Sequence, residues 1–155
     1  MLVRFATLNL PACEYVLIHL RASDAAEAWA VHIHGNPLRL ARELVYSTDL
    51  AWYCTCPEGR PAAVLALTSD GGPSLQASVF ATDEWPRVVL GMTRFIRQRI
   101  GPMLLGPAFN AFDRVQADSI AGHTEAHRWM AAIGARPEGR ETINGHEFIR
   151  FVWSR

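Results

Sequence analysis

The stretch that decides the fold is Leu75 to Ile100, LQASVFATDEWPRVVLGMTRFIRQRI. Leu75 to Ala81 is a short run bounded upstream by turn residues, and it reads as a strand. From Trp85 the period changes. Val88, Val89, Met92, Phe95, Ile96 and Ile100 fall on one face at helical spacing, with Arg94, Arg97 and Gln98 opposite. Thr82 or Asp83 is placed to cap this helix, and Gly101-Pro102 is expected to end it.

Working upstream, Leu50 to Cys56 and Ala62 to Thr68 are two more strand signals. Pro57-Glu58-Gly59-Arg60 and Ser69-Asp70-Gly71-Gly72-Pro73 are tight turns, so the three strands should form an antiparallel meander. Before them, Pro37 to Tyr46 carries Leu38, Ala41, Leu44 and Val45 at helical spacing, with Pro37 suited to a first turn. Asp24 to about Ile33 reads as a helix capped by Ser23, with Ala25, Ala28, Trp29 and His32 on one stripe. The run YVLIHL, Tyr15 to Leu20, reads as a strand.

Downstream, Leu104 to Asn110 is loop-like, Phe112 to Ile120 alternates as a strand, and His123 to Ile133 is a helix closed by Gly134. Strands over about Ala135 to Thr142 and His146 to Trp153 meet at Asn144-Gly145, a favoured hairpin turn. The order β-α-α-β-β-β-α-β-α-β-β predicts a single α/β (α+β) domain, a mixed sheet flanked by helices, over residues 14–155. Residues 1–13 are set apart as an N-terminal extension.

Composition narrows the chemistry. The chain has 155 residues, half of them apolar, which suffices for one core. Its fifteen basic residues balance fifteen acidic ones, so nucleic acid, which attracts a cationic excess, is not an expected partner. Every basic residue is arginine, which excludes a lysine Schiff base or a phosphate-loop lysine. Three cysteines and an N-terminus without a secretory pattern fit a reducing compartment. No apolar run approaches the roughly 20 residues that span a bilayer.

His123-Thr124-Glu125-Ala126-His127-Arg128-Trp129-Met130-Ala131-Ala132-Ile133-Gly134-Ala135 resembles the late helix of the GNAT (GCN5-related N-acetyltransferase) fold, with Ala135 where a Phe is usual. Asn144 to Phe151 resembles that family's last hairpin. Ser47 to Trp52, Glu58 to Pro61, Phe80 to Asp83 and His123 to Ile133 together are similar, in turn, to GNAT-like phage proteins of the T7-type internal virion protein A family. That narrower resemblance implies a catalytically degenerate protein with a structural or assembly role, in the virion or the host cytoplasm. Its partners would be other virion or assembly proteins, an oligomer included, and no cofactor is expected. The alternative is an active acetyl-CoA-dependent N-acetyltransferase with an atypical pyrophosphate loop.

For that alternative the resemblance places acetyl-CoA along the backbone of Val79, Phe80 and Ala81, with Arg87 at the pyrophosphate. The family's glycine-rich pattern is missing there: Phe80-Ala81-Thr82-Asp83-Glu84-Trp85-Pro86-Arg87 has no glycine, two acids, and a proline without an N–H. The tyrosine that many relatives use as general acid falls at Trp129, whose indole N–H does not exchange usefully near neutral pH. No catalytic residue is therefore assigned.

Other candidates weigh less. His123 and His127, at i and i+4, share a helical face, but without a third ligand they read as a cap and a solvent-facing side chain. His32 and His34, at i and i+2, do not share a helical face. Cys54 and Cys56 point the same way along a strand and read as buried free thiols. No metal site is expected. Arg94, Arg97 and Arg99 form a cationic helix face, read as solvated, and with five tryptophans one may be read as an interface anchor.

Overall fold

In a computed structural model, which describes residues 2–69, 71–105 and 112–154, strands and helices alternate irregularly. The chain runs β1 (Arg4–Thr7), α1 (Leu10–Ile18), α2 (Ala22–Val31), α3 (Pro37–Ser47), β2 (Leu50–Thr55), β3 (Pro61–Ser69) and β4 (Ser74–Ala81). It continues through α4 (Trp85–Phe95), α5 (Gly101–Leu105), β5 (Arg114–Ile120), α6 (Thr124–Ala132), β6 (Arg136–Ile143) and β7 (His146–Ser154). The described strands form one seven-stranded sheet in the order β1-β2-β3-β4-β5-β7-β6. All neighbours are antiparallel except β4 and β5.

The sheet is covered on both faces, which explains why β3 is buried from Ala62 to Leu67 without interruption. Leu65 and Leu67 pack with Val88, Met92 and Phe95 of α4. Val64 and Ala66 point the other way, against Cys13, Val16 and Leu40 of α1 and α3. A third cluster joins Met130 of α6 to Ala117 and Phe151. The meander has the expected antiparallel register, Leu50 opposite Leu67 and Ala63 opposite Ala81. The Asn144-Gly145 turn has positive φ at both residues, 48° and 81°, as a two-residue hairpin requires.

The strand expected over Tyr15 to Leu20 is instead the second half of α1. Asn9 caps that helix, its side-chain carbonyl accepting from Ala12 N–H at 2.9 Å, and Pro11 sits in the first turn. Ala12, Cys13, Val16 and Leu17 then form one buried stripe. The apolar run is thus the end of a helix whose start signal lies several residues earlier. Its last residue keeps an extended contact, Leu20 bridging to Thr82.

Two helix boundaries also differ. α2 starts at Ala22 after Arg21, so Ser23 lies inside its first turn, and Asp24 rather than Ala25 takes the buried place beside Ala28. The helix after Trp85 does not stop at Gly101-Pro102. Residues Ile96–Ile100 widen into a π turn, Gly101 N–H reaching Ile96 O, and α5 follows directly. Pro102 thereby falls in the first turn of a new register, where a missing N–H costs little. The loop expected over Leu104 to Asn110 begins inside α5 and lies outside the described residues from 106 onward.

Residues 4–13 pack on the domain. β1 pairs with β2 from Arg4↔Thr55 to Thr7↔Trp52, and Phe5 stacks on Phe95 with ring centroids 4.1 Å apart. Val3 lies so close to α4 that a Cβ on Gly91 would come within 2.8 Å of Val3 Cβ.

Candidate active site

β4 and β5 pair over three positions only, Ser74↔Arg114, Leu75↔Val115 and Gln76↔Gln116. Beyond Gln76, β4 continues to Ala81 paired with β3 alone, and β5 continues to Ile120 paired with β7 alone. The sheet therefore forks. Gln116 Nε2 donates to Gln76 Oε1 at 3.2 Å across the crotch. Backbone groups alternate sides along a strand; Ala77 N–H is taken up by Gln116 O in the last parallel pairing, so the Ala77 C=O and the Val79 N–H and C=O, in phase with Ala81, are the groups turned into the fork. A cavity of about 400 Å³ occupies it, walled mainly by apolar side chains, among them Leu65, Val79, Phe80, Trp85, Trp129 and Met130.

The two prongs are held apart by α2. Arg21 N–H donates to Ala81 O at 2.9 Å, and Asp24 Oδ2 accepts from Ala81 N–H at 2.7 Å. One turn on, Glu27 Oε1 accepts from Ile120 N–H at 2.8 Å. Carboxylates at i and i+3 on one helix thus close the free backbone groups at the ends of β4 and β5. The far end of α2 is tied as well, Asn144 Nδ2 donating to the carbonyls of Ala30 and Val31 at 3.0 and 3.2 Å.

His123 completes this end of the cavity. It stands at the N-cap position of α6, but it is buried, at 7% exposure, and its side chain makes no cap hydrogen bond. Its Nδ1 is 3.4 Å from Glu27 Oε2. Its Nε2 faces Asp24 Oδ1 at 3.8 Å and has no hydrogen-bond partner. Arg21 Nε donates to Asp24 Oδ1 at 2.9 Å, while the guanidinium spans to Glu125 and lies over the Trp85 ring. Burial pushes the Asp24 carboxyl up, against the opposing pull of Arg21. Sequence reasoning missed the grouping because His123 lies ninety-six positions from Glu27, its partner on α2 beside Asp24.

The start of α4 is built differently. Glu84 N–H donates to Thr82 Oγ1 at 3.2 Å, Trp85 N–H to Thr82 O at 3.1 Å, and Arg87 N–H to Glu84 O at 2.9 Å. Pro86 has no N–H. Arg87 is gripped by Glu58 at 2.6 Å and Glu84 at 2.8 Å, and Arg60 reaches Glu84 at 3.1 Å. The Arg87 guanidinium holds the Glu58 carboxyl down at about 2, and Arg60 and Arg87 lower that of Glu84. Helix starts bind anions through unpaired N–H groups, and here the first-turn donors already have acceptors. Val79 and Phe80 line the cavity, Ala81 stands at the prong's tip with both backbone groups taken by Asp24 and Arg21, and Arg87 sits outside in an ion-pair cluster.

Trp129 lies in the cavity wall, its ring edge-on to Trp85 at 5.0 Å and its Nε1 donating to Thr93 Oγ1 at 2.9 Å. His127 is not a partner of His123 for a metal. Its Nε2–H donates to Ile120 O at 3.1 Å, and burial lowers its pKa. Cys54 and Cys56 are buried, Cys56 lying just beyond β2, and burial pushes the Cys54 thiol up to about 12.

His32 and His34 do come together, contrary to the helical-face argument, because α2 ends at Val31. With Glu43 they place one ligand atom each within 4.8 Å of one another. His34 Nδ1 accepts from Asn36 N–H at 3.0 Å, however, which leaves its proton on Nε2, facing Glu43 Oε2 at 3.6 Å. Arg39 occupies the other Glu43 oxygen at 3.1 Å. In that tautomer His34 has no lone pair for a cation, and the cluster works as a clamp between the α2–α3 turn and α3.

No protein-family model matches the sequence, and no curated protein matches it. The solved structures give a clear likeness. Aminoglycoside acetyltransferase AAC(6')-Ib, in complex with ribostamycin and coenzyme A, superposes with a TM-score of 0.69 at 14% identity, over 99% of this chain and 93% of that one. Ribosomal-protein-S5-alanine acetyltransferase from Vibrio fischeri gives 0.64 at 14%, over 98% and 92%. An acetyltransferase of the GNAT family from Bacillus anthracis gives 0.65 at 10%, over 98% and 94%. Likeness of this extent at such low identity is one of architecture, and it says that the chain carries the GNAT acetyltransferase fold.

Proposed function

We propose that the chain is an acetyl-CoA-dependent N-acetyltransferase with an atypical diphosphate end. The observation that supports this reading is the fork: a parted parallel pair, with the Ala77 C=O and the Val79 N–H and C=O turned into an apolar cavity of about 400 Å³. An amide-bearing arm can pair with such an edge as an added strand would. When bound there, the thioester supplies an activated acyl carbon. Trp85, Trp129 and Val79 would keep water from that end, and the Ala77 C=O with the Val79 N–H and C=O would fix the arm.

The diphosphate end does not fit in the same way, because the first-turn donors of α4 and the Arg87 guanidinium are already bound. No contact to the diphosphate is assigned. Nor does a tyrosine serve the leaving thiolate: Tyr15 stacks on His19, Tyr46 is exposed, and Tyr53 lies beside Asn9. The virion role expected from the short phage-like motifs rests on those motifs alone.

The test is a calorimetric titration with acetyl-CoA and, separately, with acetyl-pantetheine, which lacks the nucleotide. Both should bind, within about fivefold of each other, roughly 1 kcal/mol. Ala77→Phe, which fills the fork, should abolish both heats. No heat from either ligand up to millimolar concentration overturns the reading.

A further inference from the structure

At the closed end of the cavity a buried imidazole nitrogen without a hydrogen-bond partner faces a carboxylate oxygen. Glu27 Oε2 lies 3.4 Å from His123 Nδ1 and draws the imidazole proton to that nitrogen. Nε2 then presents a lone pair, and it is 3.8 Å from Asp24 Oδ1. The imidazole is buried and this nitrogen has no partner, an expensive state for a buried polar atom. A group with two or more N–H donors, such as an ammonium lying to one side of this 3.8 Å line, would satisfy Nε2 and add a donor to Asp24 Oδ1, which already accepts from Arg21 Nε.

The surrounding charge selects the same class. Asp24 and Glu27 are buried or half-buried here against a single guanidinium, Arg21, which is shared with the exposed Glu125. Trp85, Trp129 and Trp153 line the same cavity, and aromatic walls suit an apolar body attached to a cation.

We propose that the slot between Asp24 Oδ1 and His123 Nε2 seats the amino group of the acceptor, a compact primary amine with an aromatic or apolar body, and that His123 takes the proton this amine must shed. This rests on the acetyltransferase reading for its purpose. In the step, an N–H bond of R–NH₃⁺ breaks, its electron pair stays on the amine nitrogen as the nucleophilic lone pair, and the proton passes to Nε2. Glu27 stabilises the imidazolium through Nδ1–H, and Glu27 is in turn fixed by Ile120 N–H. His123 is thus a catalytic base and Glu27 a positioning residue.

The experiment titrates the protein with 2-phenylethylamine, and with 2-phenylethanol as the uncharged control, without any thioester. Calorimetry reads the affinity, and ¹⁵N resonances of the His123 ring read its protonation and its contact with the ligand. The amine should bind about tenfold or more tightly than the alcohol and shift the Nε2 resonance. His123→Gln should weaken the amine by about tenfold. Glu27→Gln, which keeps an acceptor for Ile120 N–H, should move the pH profile of amine binding; it serves if the His123 variant fails to fold. Equal affinity for amine and alcohol, no amine binding, or an unchanged His123→Gln or Glu27→Gln profile overturns the proposal. If the thioesters bind and the amine does not, the slot falls alone. If the amine binds and the thioesters do not, the slot stands and the acetyltransferase reading falls.

Discussion

The far end of β4 and the first turn of α4 are neighbours in sequence, yet they treat their backbone donors in opposite ways. In the fork, the Ala77 C=O and both backbone groups of Val79 face a cavity unpaired, and side chains of α2 close only the tips of the prongs. At α4 the donors are satisfied by Thr82 and Glu84, and the arginine beside them is neutralised by carboxylates. The difference teaches where recognition can reside. A sheet edge held open by two remote staples keeps its hydrogen-bonding capacity for a ligand. A helix start that satisfies itself has little left for an anion.

The largest effect should come from removing a staple. Asp24 is 4% exposed and accepts from both Arg21 and Ala81 N–H. Asp24→Ala strands a buried guanidinium and a backbone donor, and should cost about 3 kcal/mol in urea unfolding. An unchanged midpoint would show that the fork stays open without it. At the other end, Thr82→Ala removes the acceptor of Glu84 N–H and should cost about 1 kcal/mol by the same measurement, in the range of a lost helix cap.

Release of the arginine cluster sharpens the contrast further. In a Glu58→Gln, Glu84→Gln double variant, Arg87 gains freedom to meet a diphosphate. Acetyl-CoA affinity should rise by about threefold, the scale of an exposed charge contact, while acetyl-pantetheine affinity stays level. A parallel rise in both would place the effect in the fork.

How far this could be read in advance depended on distance along the chain. The meander, the amphipathic face from Val88 to Ile100 and the Asn144-Gly145 hairpin are written in neighbouring residues, and the fold followed from them. α1 was misread because Asn9 and Pro11, which start it, lie outside the β-branched run that imitates a strand. The fork has no local signature: it depends on where β5 stops pairing, which Glu27 and Ile120 decide from ninety-three positions apart. His123 looked like a helix cap because nothing near it in sequence announces Asp24 or Glu27.

The smallest expected effect is a pH dependence outside both regions. Burial holds His32 and His127 below the ordinary imidazole value of about 6.5. The unfolded chain therefore takes up protons first as pH falls, so their contribution is full above about pH 6.5 and declines below it. Thermal melts at pH 7.5 and pH 5.5 should differ, the acid midpoint being lower, and His127→Gln should narrow the gap.

The wide turn at Ile96–Ile100 has a consequence for comparing this chain with others. Phe95 and Ile100 are five positions apart and both buried, at 7% and 6%, although in a regular helix that spacing would leave them roughly 140° apart. The turn takes up one residue that the helix does not need to keep its face inward. A related chain lacking that residue would keep the same core at both ends, so an alignment held in step through Phe95 would run one position out of phase by Ile100.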